Sequence, residues 1–199
     1  MPMSGKPGGS GGACGRLARV FEAIDAANAH DPAIGPEGPE ALVYGRRMSA
    51  ELDRLFPDAG ELLQIAARGQ HIERWTIPRS DYPEGRSGYL AWRRDLGRFH
   101  GDRVAEIMHA EGYAPQEAAR VAAMLRKEGL KRDREVQALE DVICLVFLKH
   151  HFAPFAATQP ADRLLRIVRK TARKMSSEGR ARVLREFDLP GEFAAAFRD

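Results

Sequence analysis

The sequence has little cysteine, few aromatic residues and no long apolar run. Its 199 residues include only two cysteines, Cys14 and Cys144, far apart and without metal-ligand spacing. That disfavours a disulfide framework or a cysteine zinc site and points to a reduced, cytoplasmic setting. No apolar stretch approaches the ~18 residues that span a bilayer, so no membrane partner is expected. Charge of one sign is scarce too. Lys and Arg total 31 against 28 Asp and Glu, a net charge of +3. That total alone marks neither a nucleic-acid binder nor a membrane binder. Alternating patterns long enough for strands are missing, as are internal repeats. What remains is 44% hydrophobic and 30% charged residues, in a chain long enough to bury one core unaided.

Residues 1–13 are rich in Gly, Ser and Pro and are expected to form a disordered leader without the apolar centre of a secretory signal. The remainder, 14–199, reads as a single all-α domain. Apolar residues recur at helical spacing over about 17–27, 40–56, 57–71, 89–111, 114–129 and 134–152. Loops fall at 30–39 and 76–88, where Pro and Gly cluster. Val142 to Leu148 is almost wholly apolar and predicts a central helix. Two more helices, at about 160–175 and 177–187, close the chain.

Polar residues inside apolar helices are the first candidates for chemistry. His71 follows Leu62 to Ala67, His100 lies within Leu96 to Met108, and Asp141 precedes Val142-Ile143-Cys144-Leu145. A buried acid is costly unless paired or bound to metal. Two imidazoles and a carboxylate can hold a divalent cation that lowers the pKa of a bound water. The same residues also fit core histidines with satisfied hydrogen bonds, and an aspartate paired with arginine.

The order of these residues resembles the HD-domain metal phosphohydrolases. Ala66 to Ile72 looks like that superfamily's His-Asp helix, Phe99 to Met108 like its next His helix, and Leu139-Glu140-Asp141-Val142 like its last Asp helix. The similarity runs over about residues 40–150. Tyr44 stands where the first His would lie, and Gln70-His71 replaces His-Asp. The resemblance implies an HD-like helical bundle with a divalent metal on His71, His100 and Asp141. A longer similarity, to the family called domain of unknown function 4202, covers nearly the whole chain after the leader. It rests on Gln70-His71-Ile72-Glu73-Arg74-Trp75-Thr76-Ile77-Pro78-Arg79, Tyr89-Leu90-Ala91-Trp92-Arg93, Phe99-His100, Leu139 to Leu148 and Arg169 to Ser176.

Arg74, Trp75, Arg79, Trp92 and Arg93 border the central loop. Arginine forks bind phosphate or carboxylate, and tryptophan offers a flat face to a ring or cation. Packing tryptophans and arginines paired with Asp81, Glu84 and Asp95 are the alternative. Lys127 falls within reach of a phosphate or in solvent. From Pro160 to Arg185, nine basic residues face two acidic ones, so this segment carries +7 and the rest of the chain −4. Arg163, Arg166, Lys170 and Arg173 share one helix face, which suits either RNA or DNA phosphates or plain solvation.

The leading expectation is an HD-like phosphohydrolase acting on a nucleotide or other phosphate ester. Gln70 and Glu140 would position water, Arg74 and Arg79 would clamp the anion, and Tyr44, Trp75, Arg93 and Lys127 would complete the ligand-binding set. The competing expectation is a non-catalytic HD-like module that binds RNA or a protein partner through the basic C-terminal helices or the central loop.

Overall fold

The computed structural model describes residues 11–198. Helix α1 (Gly11–Asn28) leads into a two-residue hairpin, β1 (Ile34–Gly35) with β2 (Gly38–Pro39). Then come α2 (Glu40–Leu55), α3 (Glu61–Arg68), α4 (Gly85–Ala110), α5 (Pro115–Leu125) and α6 (Arg134–His150). The chain closes with α7 (Phe152–Ala157), α8 (Ala161–Lys174), α9 (Ser177–Glu186) and α10 (Gly191–Ala195). Short 3₁₀ turns at Arg74–Thr76 and Arg79–Asp81 fill the central loop. The all-α expectation holds. Among the described residues, no helix is long and apolar enough to cross a membrane.

Local chemistry explains several boundaries. The Asp133 carboxylate accepts from the backbone N–H groups of Glu135 and Val136 and starts α6. Pro115 opens α5, and the Glu117 carboxylate takes the Ala114 N–H at 2.8 Å. The Ser176 hydroxyl accepts the Gly179 N–H at 2.9 Å and starts α9.

The core forms around α6, which buries Val136, Leu139, Val142, Leu145 and Val146 as its sequence predicts. At 26 residues, α4 is the longest helix, about 39 Å at 1.5 Å per residue. It packs most extensively on α5. The approach is close because Gly101 presents no side chain: a Cβ there would lie 3.1 Å from the Ala122 carbonyl oxygen. This crossing sets the α5–α6 connection beside the middle of α4. Within the connection, Lys127, Gly129 and Lys131 all take left-handed backbone angles, a conformation uncommon outside glycine.

Several details depart from the sequence reading. Helix α3 stops at Arg68 instead of continuing to His71. Gly69 follows it, and a Cβ on Gly69 would come within 2.5 Å of the Val104 side chain. The chain turns there, and Gln70 and His71 sit on the turn. Helix α4 begins four residues before the expected Tyr89. Helices α7 and α10 were not expected; each is at most six residues, too short for a clear period. Phe193 of α10 and the following Phe197 are nonetheless buried in the core. The expected leader 1–13 lies outside the described residues up to position 10, and its last three residues open α1.

Candidate functional site

The helices enclose a cleft of about 1720 Å³. Its floor draws Tyr44 from α2, Gln70 and His71 from the turn after α3, Arg74 from the first 3₁₀ turn, and Arg93 and His100 from α4. One wall is the outward face of α4, with Arg86, Tyr89, Arg94 and Arg98. Facing it is α8, with Arg163, Arg166, Lys170, Arg173 and Lys174. The opposite face of α8, Leu164, Val168 and Ala172, is buried against the body. The expected arm is thus a wall of the site, and the two candidate features of the sequence are one.

The floor is an aromatic and imidazole cluster. The Tyr44 and His71 rings stack at 3.9 Å with 13° between their planes. The His71 and His100 rings lie 6.0 Å apart. Burial, with the charges of Arg74 and Arg93, pushes His100 down to about 3 and holds His71 well below its usual range. Both rings are therefore neutral near pH 7. The Arg74 guanidinium lies 4.7 Å over the Trp92 ring, and Trp92 Nε1 donates to the Ile77 carbonyl at 2.9 Å. Burial and the neighbouring Arg93 push Arg74 down to about 10. Gln70 Oε1, Arg74 Nη1 and His100 Nε2 are buried with no hydrogen-bond partner among the described residues. Orphaned buried groups of this kind are rare in folded proteins.

Beside the floor, Glu140 of α6 forms an ion pair with Lys127, and Lys174 approaches its other oxygen at 3.6 Å. Glu140 is 2% exposed. Burial pulls the Lys127 ammonium down while Glu140 opposes that pull. Lys127 makes this pair from a left-handed backbone position in the α5–α6 connection. The Cys144 thiol, free and buried, lies one turn further along α6 and is pushed up by burial and by Glu140.

The expected metal triad does not assemble. His71 and His100 are neighbours, but Asp141 faces another way. One of its oxygens accepts from the Ser176 backbone N–H at 2.8 Å and from Gln137 Nε2 at 3.1 Å. The other accepts from the Ser176 hydroxyl. A Cβ on Gly179 would lie 2.8 Å from this carboxylate, so the carboxylate fills the space at the start of α9. Asp141 lines a separate cavity of about 280 Å³, with Lys131 and Ser176. Among the described residues, no three His, Cys, Asp or Glu side chains form a metal-ligand group. The residues present do not fit a resident divalent metal on His71, His100 and Asp141.

Other expectations divide similarly. Tyr44, Gln70, Arg74, Arg93, Lys127 and Glu140 all line the cleft. Arg79 does not: its guanidinium donates to the carbonyls of Tyr82 and Pro83 at 2.8 and 2.9 Å, which closes the central loop. Trp75 is half-buried away from the cleft. The sequence reading missed Arg86, Arg94, Arg98 and Arg126. The signal for Arg94 and Arg98 was present, since they lie four residues apart on the helix expected over about 89–111, whereas Arg86 fell in the expected loop 76–88.

In all, twelve of the thirty cleft-lining residues are Lys or Arg, against two carboxylates, Glu128 and Glu140. Among the described residues, seven of the twelve have no carboxylate within 4.0 Å: Arg74, Arg86, Arg93, Arg98, Arg163, Lys170 and Arg173. Uncompensated positive charge in a concave, partly buried site focuses a strong attractive field on anions.

The family model for Domain of unknown function (DUF4202) matches residues 18–196, and the chain belongs to that family. No curated protein and no solved structure matches the chain.

Proposed function

We propose that this protein binds a multiply phosphorylated, nucleotide-like ligand in the basic cleft, with α4 and α8 as its two walls. The observation that carries this reading is the set of seven cleft cations without a carboxylate partner. Arginine forks match phosphate oxygens in two-point contacts. The exposed Tyr89 ring on the α4 wall lies among them and suits a planar ring.

An HD-like ancestry of the bundle belongs to the same reading. His100 on α4 and Asp141 on α6 keep the residue types of HD ligands, while Tyr44 and Gln70 do not. Hydrolysis of a phosphate ester at a divalent metal is the second reading. It draws on the two neutral imidazoles, and it would need ligands beyond His71 and His100. We place the protein in a reduced cytoplasmic setting, in keeping with the free thiol of Cys144.

Calorimetric titration with inorganic tripolyphosphate and with a nucleoside triphosphate tests the binding reading. Affinity should fall about 10- to 100-fold between about 50 and 200 mM salt, as expected for three or four phosphate contacts. Lys170→Glu with Arg173→Glu should weaken binding at least about tenfold. Binding that ignores both salt and these substitutions would remove the cleft as the site.

A further inference from the structure

The floor and the walls ask for different parts of a ligand. On the floor, burial and the neighbouring Arg93 disfavour the charge of Arg74, and neither arginine has a carboxylate partner among the described residues. Arg74 Nη1 and His100 Nε2 are buried and unpartnered. His100 is 3% exposed, so water offers it little compensation. Glu140 cannot serve these groups, since Lys127 and Lys174 hold it. The missing complement is compact and anionic, with several acceptor oxygens. A phosphomonoester has that form: a dianion with three terminal oxygens, able to accept from two guanidinium groups and one imidazole N–H.

The walls are extended instead. The basic stretch 86–98 of α4 is about 18 Å long, and 163–174 of α8 about 17 Å, at 1.5 Å per residue. Five of their cations, Arg86, Arg98, Arg163, Lys170 and Arg173, lack carboxylate partners among the described residues. A single nucleotide is too short to satisfy the floor and both walls together. The cleft, at about 1720 Å³, also exceeds the ~300–1,000 Å³ of ordinary small-molecule sites. Tyr89 is 48% exposed and lines this cleft, a ring available for base stacking.

We propose that the cleft takes the phosphorylated end of a single-stranded oligonucleotide, with its terminal phosphomonoester on Arg74, Arg93 and His100 and its following phosphodiesters between α4 and α8. This rests on the reading of the cleft as a phosphate-ligand site and specifies what fills it.

The test is calorimetry with the full chain and uridine pentamers carrying a 5′-phosphate, a 3′-phosphate or two hydroxyl ends. Deoxy pentamers, uridine monophosphate and tripolyphosphate complete the panel. One phosphorylated pentamer should bind at least about tenfold tighter than the hydroxyl-ended one. Arg93→Gln and His100→Gln should each abolish that preference, so that phosphorylated and hydroxyl-ended pentamers bind the variants equally. Arg93→Lys, which keeps the charge but loses the fork, should also lower it; circular dichroism checks that each variant folds. Equal binding of all pentamers would overturn the terminal seat. Binding of tripolyphosphate or the monophosphate without any pentamer would overturn the oligonucleotide and leave the phosphate-ligand reading standing. If nothing binds, both fail. The deoxy pentamers show whether the sugar hydroxyl is read.

Discussion

Arg68 and Arg93 are both helical arginines in opposite circumstances. Arg68 of α3 grips Asp25 with two nitrogens, at 2.7 and 2.6 Å, and reaches Ser49 with a third at 3.3 Å. Other arginines outside the cleft are equally engaged: Arg120 binds Asp133 and Glu135, and Arg54 binds Glu51 and Glu186. Arg93 and six other cleft cations have no such partners among the described residues. The two regions hold the same residue types, so the number of charges does not separate them. The difference lies in whether the fold supplies the counter-charge. On the flank the protein completes its own electrostatics, and in the cleft it leaves that to a ligand.

Substitutions sharpen this contrast. The largest effect is expected where the two regimes meet, at Glu140, the buried carboxylate beside the cleft. Glu140→Gln would leave the Lys127 ammonium buried without its partner, at a cost of about 3–5 kcal/mol in denaturant unfolding. A loss under about 1 kcal/mol would show that Lys127 swings freely into solvent, and would weaken the picture of an inward-aimed lysine.

The next effect comes from pH. His100 titrates at about 3 in the fold and near the ordinary 6.5 when unfolded. Below pH 6.5 the unfolded chain therefore takes up a proton that the native chain refuses. Stability contributed by the neutral ring is complete above pH 6.5 and is lost as pH falls towards 3. The slope approaches about 1.4 kcal/mol per pH unit for each such histidine, and His71 adds in the same direction. Unfolding measured between pH 6.5 and 5 should show a slope of this sign, and His100→Gln should reduce it. A flat profile would mean that the floor is wetter than its geometry implies.

The smallest effect separates the two regions most cleanly. Arg68→Gln should cost about 1–2 kcal/mol, because it removes the two-point grip on Asp25 and leaves that carboxylate only the longer pair with Arg46 at 3.4 Å. Arg93→Gln should change stability by no more than about 0.5 kcal/mol, or raise it slightly, since it relieves the repulsion with Arg74. If Arg93→Gln destabilised as much as Arg68→Gln, the cleft would be a structural network and not a ligand site.

The helices were legible because burial imposes a period of 3.6 residues. The apolar middle of α6 and the two-sided α8 needed nothing more. Neighbours across the fold were not legible. The sequence shows that α8 has a basic face, but not that this face looks onto His71 and His100. Glu140 and Asp141 illustrate the limit most sharply. They are adjacent in sequence, so on α6 they point about 100° apart, and residue type alone favours neither as the one facing the site. Packing sends Glu140 to the cleft and Asp141 to the start of α9. Similarly, the apolar period of α3 runs on towards His71, whereas the close approach of Val104 at Gly69, where the helix ends, is tertiary.

The stacking of Arg74 on Trp92 also gives the molecule a voice. The chain has two tryptophans, and one of them lies directly beneath the guanidinium assigned to the incoming anion. Drawing that cation towards a ligand alters the field over the indole, and indole emission is sensitive to such fields. Occupancy of the cleft is thus written into the intrinsic colour of the protein, and a Trp75→Phe chain would carry that signal from a single chromophore, without a label.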